Sequence, residues 1–543
     1  MSARLAQITG HMAAPERTGS AYKVTETPLG STRHLRIVGI GAGMSGINMI
    51  RTLRLHVKDY EQDANVTFHP TTQFSWRPNP EWTGFFSPAP EIQEYLCRVC
   101  DEEGMRDVIK TSHQVTRAER NDAAGSWDLE VHDLDKNIKF HDYCHFLLDG
   151  SGILNHWKWP EIPGLHSFQG RLIHSADWPS NFDYTGMTVA VVGNGSSGVQ
   201  ILPEMQRGEP LEGPYSNPNA KYIAIADVKN LVHFVREPTW VVPSRLQLLA
   251  QGAGGGVLSQ VSMDENSDFT KAQIERFKSD PIFYRRFVKA VEEVVNGNFP
   301  LTLKNTEFAA TLQKKAVEYM TEALDGDERL DESHREGYSP GLATSAGELI
   351  QVDAIICATG FNVSFCPRFP IIGPQGNLQD TWTKQLPNAY MSCAIPGFPN
   401  YFTFLGPNAP IRHGSVFTIT EHIAKYLTRI IKKCRTEGIK AISPSQAAVD
   451  ELYEHTQSFM PRTAWTANCI SWFKNGTADG PVTALHPGSR IHFFHMLEEF
   501  RGEDWEYLYI NRRNRFQYLG NGFSTKEDGG EDSTWYLDDP DKL

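Results

Sequence analysis

Two glycine-rich turns, each directly behind an apolar run, constrain this chain more than anything else in it. The first follows Leu35-Arg36-Ile37-Val38-Gly39-Ile40 and reads Gly41-x-Gly43-x-x-Gly46; the second follows Val189-Ala190-Val191-Val192 and reads Gly193-x-Gly195-x-x-Gly198. In such a turn the first glycine permits the tight bend, the second lets a pyrophosphate reach the backbone, and the third lets the helix pack on the strand. The helix start then offers amide donors and a partial positive charge to the phosphates. After the first turn Ile47, Ile50, Leu53 and Val57 recur at helical spacing, so strand, turn and helix are all in place. The expected cofactor-binding positions are therefore Gly41, Gly43 and Gly46, and then Gly193, Asn194, Gly195, Ser196, Ser197 and Gly198. A third glycine run, Gly252-Ala253-Gly254-Gly255-Gly256, follows no buried strand and reads as a loop.

A chain of 543 residues is too long for one core, and roughly 100–200 residues per domain gives two to four. With 40% apolar and 11% aromatic residues it can fill them, and the fold class expected is α/β. The formal charge of −13 owes much to Lys526–Asp541, with seven acids against one base. That balance argues against nucleic acid or an anionic membrane as partner. No run approaches the length of a membrane span and the N-terminus has no signal-peptide pattern, so a cytoplasmic protein is expected. Eight cysteines in so long a chain do not make a disulfide framework. Cys97 and Cys100 form a C-x-x-C inside a helical pattern, where packing is the expected role, and no metal site is expected.

The expected organisation is a flexible leader (1–33), a first dinucleotide domain (34–185), a second with inserted helices (186–350), a return to the first together with a helical and irregular substrate-side region (351–520), and an acidic tail (521–543). The strand Val352–Cys357 runs into Ala358-Thr359-Gly360, a small-residue turn where backbone can approach a cofactor, and Thr359 and Gly360 join the candidate cofactor positions. This strand is expected to return to the first domain, making that domain discontinuous.

Between the glycine turns lies Phe168-x-Gly170-x-x-x-His174-x-x-x-Trp178-Pro179. This linker resembles the signature of the Baeyer–Villiger monooxygenases, flavoproteins that insert one atom of O₂ beside a ketone. The resemblance extends over most of the chain, through Trp157-Lys158-Trp159-Pro160, Arg236-x-Pro238-Thr239-Trp240, Cys357-Ala358-Thr359-Gly360-Phe361, Gly406-Pro407-Asn408, Ser471-Trp472-Phe473 and Pro487-Gly488-Ser489. Its texture is similar to the fungal branch acting on aromatic polyketides. The resemblance implies two Rossmann-like domains, with FAD on the first glycine turn and NADPH on the second, and Arg236 near the 2′-phosphate. It implies that His174 and Trp178 form a hinge coupling the two cofactors, and that a hydrophobic ketone and O₂ are the small-molecule partners. Tryptophan followed by proline at 178–179 separates this pattern from flavin hydroxylases, which remain an alternative.

Three places depart from the family pattern. The second strand with its ribose-binding acid, the Gly-Gly-Thr-Trp turn and a flavin-side aspartate are not seen; Glu61 stands at about the right distance, but no strand is expected before it. The stretch that supplies a catalytic arginine is also missing, leaving Arg335 and Arg412 as substitutes. Residues 208–226 add a polar block. Together these breaks resemble a wrongly joined gene, and they keep open a catalytically silent nucleotide-binding homologue as the other alternative.

Overall fold

The computed structural model describes residues 22–57, 60–65, 73–179, 181–206, 228–235, 256–263, 268–323, 350–411, 414–527, 532–534 and 537. They fall into two compact units, a large one within 35–431 and 442–506 and a small one from 22–34, 432–441 and 507–537.

In the large unit the two glycine turns sit on two separate parallel sheets. The first is ordered β13-β6-β1-β2, from β1 (Leu35–Ile40), β2 (Tyr60–Asn65), β6 (Phe146–Asp149) and β13 (Tyr401–Thr403). The second is ordered β7-β10-β8-β9, from β7 (Arg171–His174), β8 (Thr188–Val192), β9 (Asn230–Phe234) and β10 (Ala354–Cys357). Parallel strands covered on both faces need continuous apolar runs rather than alternation. Leu-Arg-Ile-Val-Gly-Ile, Thr-Val-Ala-Val-Val and Ala-Ile-Ile-Cys supply them, with β10 buried at all four positions. β13 rejoins β6 some 250 residues downstream of it, so the first domain is discontinuous.

A third sheet, β12-β11-β3-β4-β5, is built from β3 (His113–Asn121), β4 (Ser126–Asp133), β5 (Ile138–Cys144), β11 (Ile371–Gly373) and β12 (Gly376–Asn377). Trp127, Leu129 and Ile371 from it share a core with Val38 and Leu147 of the first sheet.

Four expectations are corrected here. A second strand does exist: β2 runs parallel to β1 in register Leu35 to Tyr60 through Ile40 to Asn65. Glu61 lies opposite Arg36, four positions or about 13 Å before the strand end that reaches the glycine turn. It is Asn65 that stands beside Ile40, so Glu61 is not at the cofactor edge. Next, β10 does not return to the first sheet. It pairs with β7 and β8 in the second, because its four apolar residues fill a strand slot between two parallel neighbours.

The inserted helices are also placed differently. α4 (Lys271–Ser279), capped by Thr270, and α5 (Pro281–Asn296), capped by Asp280 with Pro281 at its first position, turn Phe277, Phe283, Tyr284 and Phe287 into the first domain's core. There they meet Ile47 and Ile50 of α1 (Met44–His56), Tyr95 of α2 (Ala89–Glu102) and Phe417 of α8 (Val416–Thr436). α3 (Gly198–Gln206), α6 (Glu307–Ala323), α7 (Leu378–Lys384), α9 (Gln446–Phe459) and α10 (Arg490–Met496) complete the helices used below. Cys97 and Cys100 lie within α2, and burial pushes the Cys100 thiol up to about 11, as packing rather than reactivity requires.

In the small unit the described part of the leader is not a free segment. Leu29 pairs with Ser524, donating to the Phe523 carbonyl at 2.7 Å and accepting from Thr525 at 2.9 Å, while the Asn521 amide bonds Thr27 at 3.1 Å. Arg33 donates to the carbonyls of Cys434 and Ile439.

Among the described residues no helix is long and apolar enough to cross a membrane.

Candidate functional site

Each glycine turn is wedged against the turn that ends the neighbouring parallel strand, and the two wedges repeat the same geometry. Gly41 has φ +96°, and a Cβ there would lie 2.4 Å from the carbonyl oxygen of Gly150, just past β6. Gly193 has φ +114°, and its Cβ would lie 2.5 Å from the carbonyl oxygen of Ala358, just past β10. Only glycine has both the conformation and the room. The third glycines repeat as well: a Cβ at Gly46 would sit 2.2 Å from the Gly41 carbonyl oxygen, and one at Gly198 2.1 Å from that of Gly193. Helix and turn are thus in backbone contact on both sheets, which directs the first-turn amides outward along the helix axis.

α1 starts at Gly43 with no side-chain cap and no acid in its first turn, leaving its amides and dipole for an anion. At the second turn a Cβ on Gly195 would meet nothing, and Gly195 and Ser196 are exposed, whereas Gly41, Ala42 and Gly43 are buried. The second turn is held by the Gly193 amide on the Phe234 carbonyl at 3.0 Å and by His233 Nε2 against the Gly193 carbonyl at 3.1 Å. Both sites lie at the carboxyl ends of parallel strands, where open α/β sheets bind ligands. The residues present fit two dinucleotide pyrophosphates.

Asp149 closes the first site's neighbouring turn. Its carboxylate accepts from the Ser151 amide at 3.0 Å and from the Tyr401 hydroxyl at 3.0 Å, tying β6 to β13. The chain then runs from Gly150 to Trp157, whose ring stacks on His174 at 4.4 Å and 12°. Trp159 meets the same imidazole edge-on at 5.8 Å.

His174 itself is the last residue of β7, opposite Cys357, and only 1% exposed. Its Nδ1 accepts from the Ala176 amide at 3.1 Å, and its buried Nε2 has no hydrogen-bond partner among the described residues. Burial pushes its pKa below the ordinary histidine value, against a smaller opposing pull from Asp177 and the Gly360 backbone. The Trp178 ring packs edge-on against Phe182 at 5.7 Å in the core of the second sheet.

Of the residues expected from the sequence, the structure groups Thr359 and Gly360 with the second glycine turn and with His174, not with the first turn. Arg236, Arg335 and Arg412 lie outside the described residues. The partners Trp157 and Trp159 were visible only as a resemblance, since nothing in their spacing points at His174. A further group carries no signal in the sequence: Trp76 donates to Asn48 of α1 at 2.9 Å, and Asn48 donates to Thr420 of α8 at 2.8 Å. That bridge fastens the aromatic segment after β2 to the first glycine helix.

Two parallel sheets, each presenting a glycine turn with room for a phosphate and joined by a strand-bearing linker, are the layout of a protein that can hold two dinucleotides. The flavin-binding monooxygenase-like family matches residues 65–209. The FAD-binding monooxygenase tazF of Aspergillus terreus is 31% identical, over 93% of this chain and 94% of that one. The FAD-binding monooxygenase moxY of Dothistroma septosporum is 30% identical, over 92% and 84%. A cyclohexanone monooxygenase from Rhodococcus bound to NADP+ has the same fold, with a TM-score of 0.66, 19% identity, and coverage of 88% of this chain and 99% of that one. The chain belongs to the FAD-binding monooxygenases, and it is an oxidoreductase related to a Baeyer–Villiger monooxygenase of Streptomyces coelicolor, 26% identical over 85% of this chain and 90% of that one, and to fungal monooxygenases such as stcW of Emericella nidulans, 28% identical over 95% of this chain and 90% of that one.

Proposed function

We propose that this monooxygenase uses FAD on the first glycine turn and NADPH on the second to insert oxygen beside the carbonyl of a hydrophobic, polyketide-derived ketone. The observation that carries the reading is the repeated wedge, Gly41 on Gly150 and Gly193 on Ala358, linked through a chain segment that ends at the stacked His174. The flavin, when bound, supplies the redox chemistry that activates O₂. The residues of the chain position it. Gly41, Gly43 and Gly46 hold its pyrophosphate against the uncapped start of α1. Gly195 and Ser196, open to solvent, receive the nicotinamide cofactor and release it.

His174 is neutral at physiological pH because burial disfavours the imidazolium. Trp157 and Trp159 fix its ring, so movement of the second sheet is passed to the segment that starts at the first site. That placement supports a hinge role for His174, as does the packing of Trp178 against Phe182 in the second core.

A second reading has its own observation. The seven residues between Asn65 at the end of β2 and Gln73 contain no glycine, tryptophan or aspartate from which to build the family's flavin-side turn. On this reading the chain binds NADPH but holds flavin weakly. Purified full-length chain decides between them. A flavin absorption spectrum with ketone-dependent NADPH consumption and an ester product supports the first; colourless protein that still binds NADPH supports the second, and a hydroxylated product would point to a flavin hydroxylase.

A further inference from the structure

The motif Pro487-Gly488-Ser489 has no part in the cofactor sites above, yet it frames an unusual pair of side chains. Nε2 of His486 and Nδ1 of His492 lie 2.9 Å apart, within hydrogen-bonding distance. Gly488 makes the contact possible, because a Cβ there would stand 2.7 Å from Nδ1 of His492 and 3.2 Å from Nε2 of His486. The two rings have opposite surroundings. His486 is 4% exposed, whereas His492, on α10, is open to solvent. Such a pair carries one shared proton between the rings, and both rings cannot be charged at that distance without strong repulsion.

His486 lines a cavity together with Ser392, Met391, Asn408, Tyr453 and Met496. It has room for about one water molecule, far too little for a ketone or a nicotinamide. Met391, Ser392 and Asn408 all hold left-handed backbone, with φ of +49°, +57° and +60°. Non-glycine residues in that region carry strain that the surrounding structure must hold in place, and such strain gathers at functional sites. The cavity wall continues to the first cofactor site: Asn408 follows Gly406, whose amide bonds the Ser392 carbonyl at 2.9 Å, and the Phe404 amide bonds the Asp149 carbonyl at 2.8 Å. Asp149 immediately precedes Gly150, which is wedged against Gly41.

We infer that His492 and His486 form a proton relay, passing protons from solvent into a water-sized cavity behind the carboxyl edge of the first sheet. In this relay a proton taken up by His492 is handed from its Nδ1 to Nε2 of His486, and His486 in turn gives up a proton on the side of the cavity it lines, so no net charge is stranded. A relay of this kind suits the reaction class, which consumes a proton. Monooxygenation converts substrate, O₂, NADPH and H⁺ into oxygenated product, NADP⁺ and water; with no substrate, O₂, NADPH and H⁺ give NADP⁺ and hydrogen peroxide. Either way one proton is taken from solvent per NADPH. The inference rests on the monooxygenase class and not on the identity of the ketone. The titratable groups facing the pair are His455 and Tyr453 on α9 and His495 on α10. Partial desolvation of the ring, then His455 and His495, hold the His492 pKa below the ordinary histidine value.

The test uses full-length chain with NADPH and O₂ alone, in weak and strong buffer, for the parent, His492→Gln and Gly488→Ala. Expected is a fall in the maximal rate of NADPH oxidation of about an order of magnitude in weak buffer, with the KM for NADPH unchanged and the rate restored by added imidazole. An unchanged rate in weak buffer, or a loss that imidazole does not repair, overturns the relay. A second arm needs no flavin: ring-nitrogen NMR of the unloaded chain should show the His492 titration displaced by His486→Gln. Independent titration of the two rings also overturns it. A chain that oxidises no NADPH in any variant counts against the cofactor assignment, and the NMR arm then decides the relay.

Discussion

Single atoms set the terms at both glycine turns, since a methyl group at the third glycine has nowhere to go but into a carbonyl oxygen. Gly198→Ala places a Cβ 2.1 Å from the Gly193 oxygen, which is a backbone atom with no flexible side chain to give way, so helix and turn must part. We expect a KM for NADPH raised by roughly tenfold or more and a stability loss of about 1–3 kcal/mol, read by steady-state kinetics and thermal denaturation. Gly46→Ala, with 2.2 Å to the Gly41 oxygen, should instead lower the flavin bound per chain.

His174 gives a pH effect whose sign follows from its environment. Its folded pKa lies below the unfolded one, so the unfolded chain binds the proton first as the pH falls. The stability it contributes is complete above the ordinary histidine pKa, declines as pH falls below about 6.5, and is gone below the folded value. Urea midpoints between pH 8 and 5 should fall less steeply in His174→Gln than in the parent. Trp157→Leu, which strips the stacked cover from the ring, should bring the imidazole pKa back toward its ordinary value in an NMR titration.

At the level of whole elements, the helices between the two halves of the second sheet serve the first domain. α5 is held to α8 and α10 through Arg490, whose guanidinium, 2% exposed, bonds Glu292 and Asn296 of α5 and Thr418 of α8. Gly414 leaves the space this group fills, since a Cβ there would lie 2.2 Å from Nη1. Arg490→Met should cost about 2–3 kcal/mol, below the range for fully buried pairs because Glu292 keeps 32% of its side-chain surface. A lowered urea midpoint at constant slope would register it. The amphipathic pattern of α4 and α5 announces a buried face but not its partner, and for that reason the expected position beside the second sheet proved wrong. β2 shows the converse failure: Tyr-Glu-Gln-Asp-Ala-Asn has no apolar run to signal a strand, and only its backbone pairing with β1 makes it one.

Taken as a whole, the molecule treats its two glycine turns unequally. The first glycine turn is buried within the large unit, and the second is open at Gly195 and Ser196. Flavin should therefore stay with the chain through prolonged dialysis while NADP⁺ washes out, as absorbance of the retained protein at each stage will show. Flavin lost as readily as NADP⁺ would contradict that asymmetry and favour the weak-flavin reading.

The glycine turns, the runs behind them and the linker to Trp178 were determined by local sequence. Positive φ, the volume of a Cβ and the continuity of an apolar strand are properties of a few adjacent residues, and they hold whatever surrounds them. Tertiary structure alone decided which sheet received Ala354–Cys357, which core took Phe277 to Phe287, and that His174 would lie beneath Trp157. Parallel pairing and helix docking join residues far apart in the chain, and four apolar residues or one amphipathic face satisfy several partners equally well. The choice among them is made by the fit of the whole core, which no short segment encodes.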